Sequence, residues 1–407
     1  MKMVIKLAWL NIWRNPVRTG VVMAAVVIGI WALVFLLGFF NGMVDSYINA
    51  TIESRTSHLQ IHHPEFVEDP EVIYYLEPAE LFREKLHDDK RVKTTAERLV
   101  LQGLLSSASG SRGVMVKGVK PEQEKEISAL DRKLAEGEYL DVDRRNPILV
   151  SKGMGRRLGV SLNQHLVLSF QNVDGEFASG RFRVVAWYDT GNTQEDDMVA
   201  FVRYDDLLAL SLMEGTAFHE MAVILHDIKD VPAFQSEFSK VFDDARIRSY
   251  TEISPDMVLY NEQIKTMLSI VIIVVMIALL FGIINTMLMA VLERQRELGM
   301  LMAIGMNRRK IFSMITLESV IMCTVAAPIG VLIGYLTISF LGKAGIDLRT
   351  WSDGLEQFGI GTVIYPNLGR ATYVEIVFAL VITAIVAGIY PSIKAISLKP
   401  VEAIRKL

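Results

Sequence analysis

Apolar residues along the chain are gathered into four long runs. Thr19–Val44 and Thr266–Leu292 carry no charge, Ile311–Phe340 carries only Glu318, and Tyr373–Ile393 only Glu375. A helix of about 20 apolar residues crosses a bilayer core, so each run predicts a transmembrane helix. Between the first two runs the pattern changes. His58–His62, Leu99–Leu104, Ile148–Val150, His165–Phe170 and Arg181–Tyr188 read as strands, several with period-two alternation. Pro121–Glu136, Asp205–Leu212 and Val231–Phe242 read as helices, and Asp174-Gly and Thr190-Gly-Asn as turns. The fold class is therefore an α-helical membrane protein with four transmembrane helices and an α+β domain between the first and second. Two short segments are amphipathic. Ile5, Trp9, Ile12 and Trp13 place indole anchors on an interfacial helix. Leu298, Leu301, Met302 and Gly305 predict a second short helix at the membrane face. The expected order is 1–18 interfacial helix, 19–44 first span, 45–264 α+β domain, 266–292 second span, 293–310 surface helix, 311–340 third span, 341–372 loop, 373–393 fourth span and 394–407 tail.

Charge orients these pieces. The net charge of −4 divides unevenly: residues 44–264 hold 25 basic and 38 acidic side chains, the remainder 17 and 8. The N-terminal 18 residues have four basic side chains and no acid, 293–310 has five against two, and 394–407 has Lys394, Lys399, Arg405 and Lys406 against Glu402. By the positive-inside rule both termini and 293–310 face the cytoplasm, and residues 45–264 face outward. The first run is longer than a signal-peptide core and is expected to stay as an uncleaved span. One cysteine, Cys323, excludes an internal disulfide. No basic patch suggests nucleic acid.

The search for chemistry yields little. No Gly-x-x-x-x-Gly-Lys-Ser/Thr occurs, so a phosphate cradle for ATP is missing. His58, His62 and His63 read as a solvated strand edge rather than a metal site, and Glu195-Asp196-Asp197 as a solvated loop. Neither a catalytic set nor a metal site is expected. Glu318 is an intramembrane carboxylate, either a proton relay or, as favoured, a buried hydrogen-bonded acid. Gly29, Gly38, Gly42, Gly330 and Gly334 allow close helix approach, within one bundle or, for the first span, at a dimer seam.

Glu293-Arg-Gln-Arg-Glu-Leu-Gly-Met-Leu-Met-Ala-Ile-Gly-Met306 followed by basic residues resembles the signature loop of FtsX/MacB-type ABC transporter permeases. Leu317-Glu-Ser-Val320, Pro328-Ile-Gly-Val-Leu-Ile-Gly334, Tyr390-Pro-Ser-Ile-Lys-Ala-Ile396 and Leu398-Lys-Pro-Val-Glu-Ala-Ile404 are similar to the same family's text. The resemblance implies a MacB-like periplasmic core domain with a β-rich insertion near 139–205, where Gly137-Glu-Tyr-Leu140 and Ile148-Leu-Val-Ser151 look like the insertion's start. It implies a non-catalytic inner-membrane subunit, with ATP and Mg on a separate ABC ATPase present in two copies. It also implies a second permease, of the same or a homologous chain. Arg294, Glu297, Leu298, Met300, Leu301, Gly305, Arg308 and Arg309 are then the expected ATPase-docking residues of a coupling helix.

Trp9-Leu-Asn-Ile-Trp-Arg-Asn-Pro-Val-Arg18 and His58-Leu-Gln-Ile-His-His-Pro-Glu-Phe66 resemble the LolC/LolE-type branch, which releases lipoproteins from the membrane. An apolar wall for a lipid anchor is expected from Phe35, Phe39 and Phe40 on the first span and Leu268, Val271 and Ile272 on the second. A periplasmic carrier or adaptor is a further implied partner. Efflux of peptides or drugs is the alternative, and a membrane-anchored receptor or scaffold without transport is the reading from another class.

Overall fold

The computed structural model describes residues 2–348 and 363–397; the Leu398–Ile404 motif and the middle of the last loop lie outside the described residues. The chain forms two compact units, one from residues 2–44, 261–347 and 363–397, the other centred on residues 45–260. It opens with α1 (Lys2–Arg14) and α2 (Pro16–Thr51). Apolar on every side, α2 buries the stripe Val26, Ile30, Leu33, Val34 and Leu37, which recurs at helical spacing.

The second unit is built on ten strands: β1 (Leu59–His62), β2 (Val92–Ser106), β3 (Ser111–Val119), β4 (Leu134–Gly137), β5 (Pro147–Ser151), β6 (His165–Gln171), β7 (Phe177–Tyr188), β8 (Val199–Arg203), β9 (Glu220–Leu225) and β10 (Arg246–Ser249). They run in the order β10-β1-β9-β2-β3-β8-β5-β7-β4. β6 pairs with both β2 and β7, so β2, β3, β8, β5, β7 and β6 close on themselves as a small barrel. Six strands leave no lumen, and alternate side chains fill the interior: Leu99, Leu101, Val114, Val116, Ile148, Leu168, Phe182 and Val202 are all buried there. The first half of β2 belongs instead to a sheet with β9, β1 and β10, covered by α3 (Ala79–His87) and, further along, by the helix Val231–Phe238. Helices α4 (Pro121–Ser128), α5 (Lys152–Leu158), α6 (Thr193–Asp196), α7 (Tyr204–Ser211), α8 (Val231–Phe238) and α9 (Tyr250–Ile253) fill the connections.

Residues 139–205 supply β5 to β8, but the barrel closes only with β2 and β3, so this stretch is not self-contained. The helix expected over Pro121–Glu136 ends at Ser128. Ala129 enters the left-handed region at φ 49°, and a short 3-10 turn and β4 follow. Strands β3 and β9 escaped the sequence reading. Lys117 and Gly118 interrupt the apolar text of one, and Glu-Met-Ala-Val-Ile-Leu in the other is buried on both faces and shows no alternation.

The first unit resumes with α10 (Pro255–Glu293), α11 (Gln295–Ala303), α12 (Arg308–Ala344), the two-residue strands β11 (Ile346–Asp347) and β12 (Val363–Ile364), and α13 (Arg370–Ile396). Among the described residues four helices are long and apolar enough to span a membrane. Their shared core includes Met276, Ile283 and Met287 of α10, Ile311, Met322 and Ala326 of α12, and Leu380 and Ala384 of α13. Glycines set the closest approaches. A methyl on Gly334 would lie 2.7 Å from Val34 Cγ1, and one on Gly388 2.5 Å from Ser319 Oγ. Gly38 and Gly42 of α2 likewise abut Ile338 and the Tyr365 carbonyl of the same chain, which gives them a packing role within the bundle.

Candidate functional site

At one end of the bundle α1, α11 and the start of α12 are tied by polar contacts. Asn11 Nδ2 donates to Glu318 Oε1 at 2.6 Å, and Arg294 reaches the same oxygen at 3.5 Å while donating to the Asn11 carbonyl at 3.1 Å. Glu318 is 5% exposed. It is the hydrogen-bonded acid favoured from sequence, and its oxygen joins three helices. Outside this tie, Arg14 donates to both carboxylate oxygens of Glu297, one at 2.6 Å. That hydrogen bonding holds the Glu297 carboxyl below the usual range, against the opposing effect of burial.

The local sequence explains the turn between α11 and α12. Gly305 adopts φ +98°, its N–H donates to the Met302 carbonyl, and the next N–H donates to the Leu301 carbonyl. This is a Schellman ending, which favours glycine at its left-handed position. Asn307 then caps α12 by accepting from the Arg309 N–H.

The expected docking residues divide into two faces. Leu298 is 4% exposed and packs into the bundle, and Leu301 is half-buried against the same core. Arg294 and Glu297 are engaged with α1 and α12. Met300, Gly305, Arg308 and Arg309 remain outward, joined by Ile304 at 78% exposure, a residue the sequence reading did not select. Its signal was present: Met300 and Ile304 are four apart, on the helix face opposite Leu298. The outward surface is thus an apolar pair bordered by Arg308, Arg309 and Lys310. Leu298 and Leu301 serve it from behind.

The expected apolar wall divides similarly. Phe35 and Phe39 continue a row of rings from Trp31, with centroids 6.5 and 6.2 Å apart. Phe40, Val271 and Ile272 pack against the bundle core, and Leu268 is buried in it, so these four do not form an open wall. The exposed face of α10 is Met267, Ile270, Val274, Ile277 and Phe281. It missed selection because a run apolar on all sides carries no periodicity to reveal its inner face.

The remaining sequence candidates are accounted for in the second unit. His62 is buried, stacked on Phe66 and bonded to the His219 carbonyl at 2.9 Å, while His58 accepts from the Leu225 N–H and His63 stacks on Tyr74. No group of three or more metal-ligating side chains occurs among the described residues. Of the acidic trio, Asp196 and Asp197 are buried rather than solvated. Asp196 accepts from Thr190, and Asp197 pairs with Arg157.

The MacB-like periplasmic core domain family matches residues 19–241, and the FtsX-like permease C-terminal family residues 269–400. The uncharacterized ABC transporter permease YvrN of Bacillus subtilis is 22% identical, with 98% of each chain covered. The lipoprotein-releasing system transmembrane protein LolC of Neisseria meningitidis is 22% identical over 95% of this chain and 94% of its own. The macrolide export ATP-binding/permease protein MacB of Psychrobacter arcticus is 21% identical over 98% of this chain and 59% of its own. With over half its length matched by the first family and the rest of its bundle by the second, the chain belongs to the MacB-like periplasmic core domain family and is an ABC transporter permease of the MacB/LolC type.

Proposed function

We propose that this permease works in the inner membrane with both termini in the cytoplasm and releases lipid-anchored proteins. ATP would be bound and hydrolysed, with Mg, on a separate ATPase. The observation that carries the mechanism is the tie at Glu318. It fixes α1 and the N-cap of α11 to a span helix, so a push on the outward Met300–Ile304 surface reaches α12 without loss in a loose loop. Two ATPase copies would serve a dimer of this chain with itself or a homologue. In support of lipoprotein release, the likeness to LolC runs nearly end to end in both chains.

The wall for the anchor is then the exposed face of α10 with the Trp31–Phe35–Phe39 row of α2, both in the membrane-spanning unit. An acyl anchor loses about 0.8 kcal/mol per methylene on entering water, so a site that accepts one has to be almost as apolar as lipid. Ile270→Asn and Phe39→Ala should each lower release of a lipid-anchored reporter while basal ATP hydrolysis persists. Unimpaired release in both, with normal insertion, rejects the wall or the cargo. Copurification of an ATPase with the tagged chain separates transport from a scaffold role.

A further inference from the structure

The outer surface of the barrel carries a cavity of about 310 Å³ that the transport reading does not use. β3 and β8 form its floor with Met115, Lys117, Val199 and Phe201; Met198 and Tyr188 flank it, and Ser54 and Arg55 close one side. These strand side chains alternate with the barrel-filling Val114, Val116, Ala200 and Val202, so the cavity lies outside the barrel core. Its wall is largely apolar, with Met115 and Met198 reaching solvent at 38% and 59% exposure.

Most charges in this lining are satisfied. Arg55 pairs with Glu195 at 3.1 Å, and Asp196 accepts from the Thr190 N–H and hydroxyl at 2.8 and 2.7 Å. Lys117 differs. It is 5% exposed, yet makes no hydrogen bond or ion pair among the described residues. Burial and, after it, Arg98 push its ammonium pKa down, while Glu220, Glu124 and Glu195 oppose this from beyond ion-pair distance. An ammonium has three donors, and those of Lys117, which no protein acceptor takes, are open to the cavity. A carboxylate in the cavity would take them as a charge-assisted pair.

We propose that this cavity binds a single-chain amphiphile with a carboxylate head. Lys117 takes the head, and Met115, Met198, Val199 and Phe201 take the chain. The volume is at the lower end of small-molecule sites, about 300–1,000 Å³, which suits one short acyl chain and excludes a multi-acyl anchor. The ligand is therefore separate from the cargo, and the site stands or falls independently of the transport reading. A free inorganic anion would leave the apolar wall uncovered.

The test uses the full chain in lipid nanodiscs and a photoreactive decanoate with a diazirine near its methyl end. Adducts are located by peptide mass spectrometry. They should fall on residues 111–119 and 198–203, compete with decanoate, and resist decanol and decyltrimethylammonium. Lys117→Met, which keeps the length and removes the charge, should reduce them about tenfold or more, the scale of a hydrogen bond to a charged group. Met198→Trp keeps Lys117 and should reduce them by filling the mouth. The proposal is overturned if no specific adduct falls on these strands in the wild type. Decanol competing as well as decanoate, or adducts undiminished in Lys117→Met, overturns it equally.

Discussion

The docking surface can be tested by removing its apolar pair. Ile304 is 78% exposed and Met300 56%, so a partner that covers them would bury most of two large side chains. Full burial of such a side chain contributes roughly 1.5–3 kcal/mol, and the exposed fractions scale this to about 1–2 kcal/mol each. Truncating both to alanine should therefore weaken ATPase binding by about 2–4 kcal/mol, on the order of a hundredfold in Kd. Neither side chain joins the Glu318 tie, and the Schellman turn is held by backbone groups that alanine keeps, so insertion and fold should be unchanged. The assay is titration of the copurifying ATPase onto the chain in nanodiscs, with lipid-stimulated hydrolysis as a second readout. Leu298→Ala is the contrast. It opens a cavity behind α11 and should lower thermal stability by about 2–5 kcal/mol. Met300→Ala/Ile304→Ala binding within threefold of wild type would refute the surface, since no arrangement that buries both residues escapes that loss.

Further outcomes follow from the outer domain and the topology. Arg98 is 2% exposed between Glu124 at 2.8 Å and Glu220 at 2.5 Å, so Arg98→Met strands two buried carboxylates and should cost about 3–5 kcal/mol in chemical denaturation. Burial raises the Asp196 carboxyl to about 7 against the opposing Thr190 hydrogen bonds. A folded-state pKa above the unfolded 3.8 stabilises fully below pH 3.8, and that contribution is lost as pH rises through 7. Thermal stability of the wild type should therefore fall relative to Asp196→Asn between pH 4 and 7; parallel curves would contradict the shift. Single cysteines at Phe177, 87% exposed, and at Ile304 should label from opposite sides of the membrane, with buried Cys323 contributing little background. Labelling from one side rejects the orientation. Asn172, five residues before Phe177, is 5% exposed and would label poorly.

How much of this was legible depends on whether the deciding forces were local. The spans were, because a bilayer-length apolar run needs no knowledge of partners. Strands β1, β5, β6 and β7 were, since alternation or a short apolar run marks each. Barrel closure was not. It depends on β6 meeting β2 across more than 60 residues, Leu104 opposite Ser169 and Ser106 opposite Val167, and neither strand's text names its partner. The charges of the second unit were hidden too. Lys117 reads as an ordinary polar position until β8 and residues of the 188–198 segment line a cavity around it, and Asp196, only six residues from Thr190, reads as solvated because the text does not show the chain turning back on it.

At the proposed docking site the sequence supplied the segment and the structure supplied its sides. Helical spacing put Leu298, Leu301, Met302 and Gly305 on one stripe, and an amphipathic stripe on a surface helix is as readily its inner face as its outer one. What decides is the partner behind it. α1 approaches from 283 residues away, and Asn11, Glu318 and Arg294 hold it beside α12, in the same core that takes Leu298 and Leu301. The apolar residues left over, Met300 and Ile304, are then the ones free to meet another protein. Gly305 is exposed but gives the outward face no side chain. No atom of a neighbouring residue lies within 4 Å of where its side chain would be, and its φ of +98° disfavours any L side chain. A bulky substitution there would strain the turn whether or not a partner docks, so loss of ATPase binding in such a variant would not identify the surface. The alanine pair does, because it changes what the face presents and leaves the backbone that builds it alone.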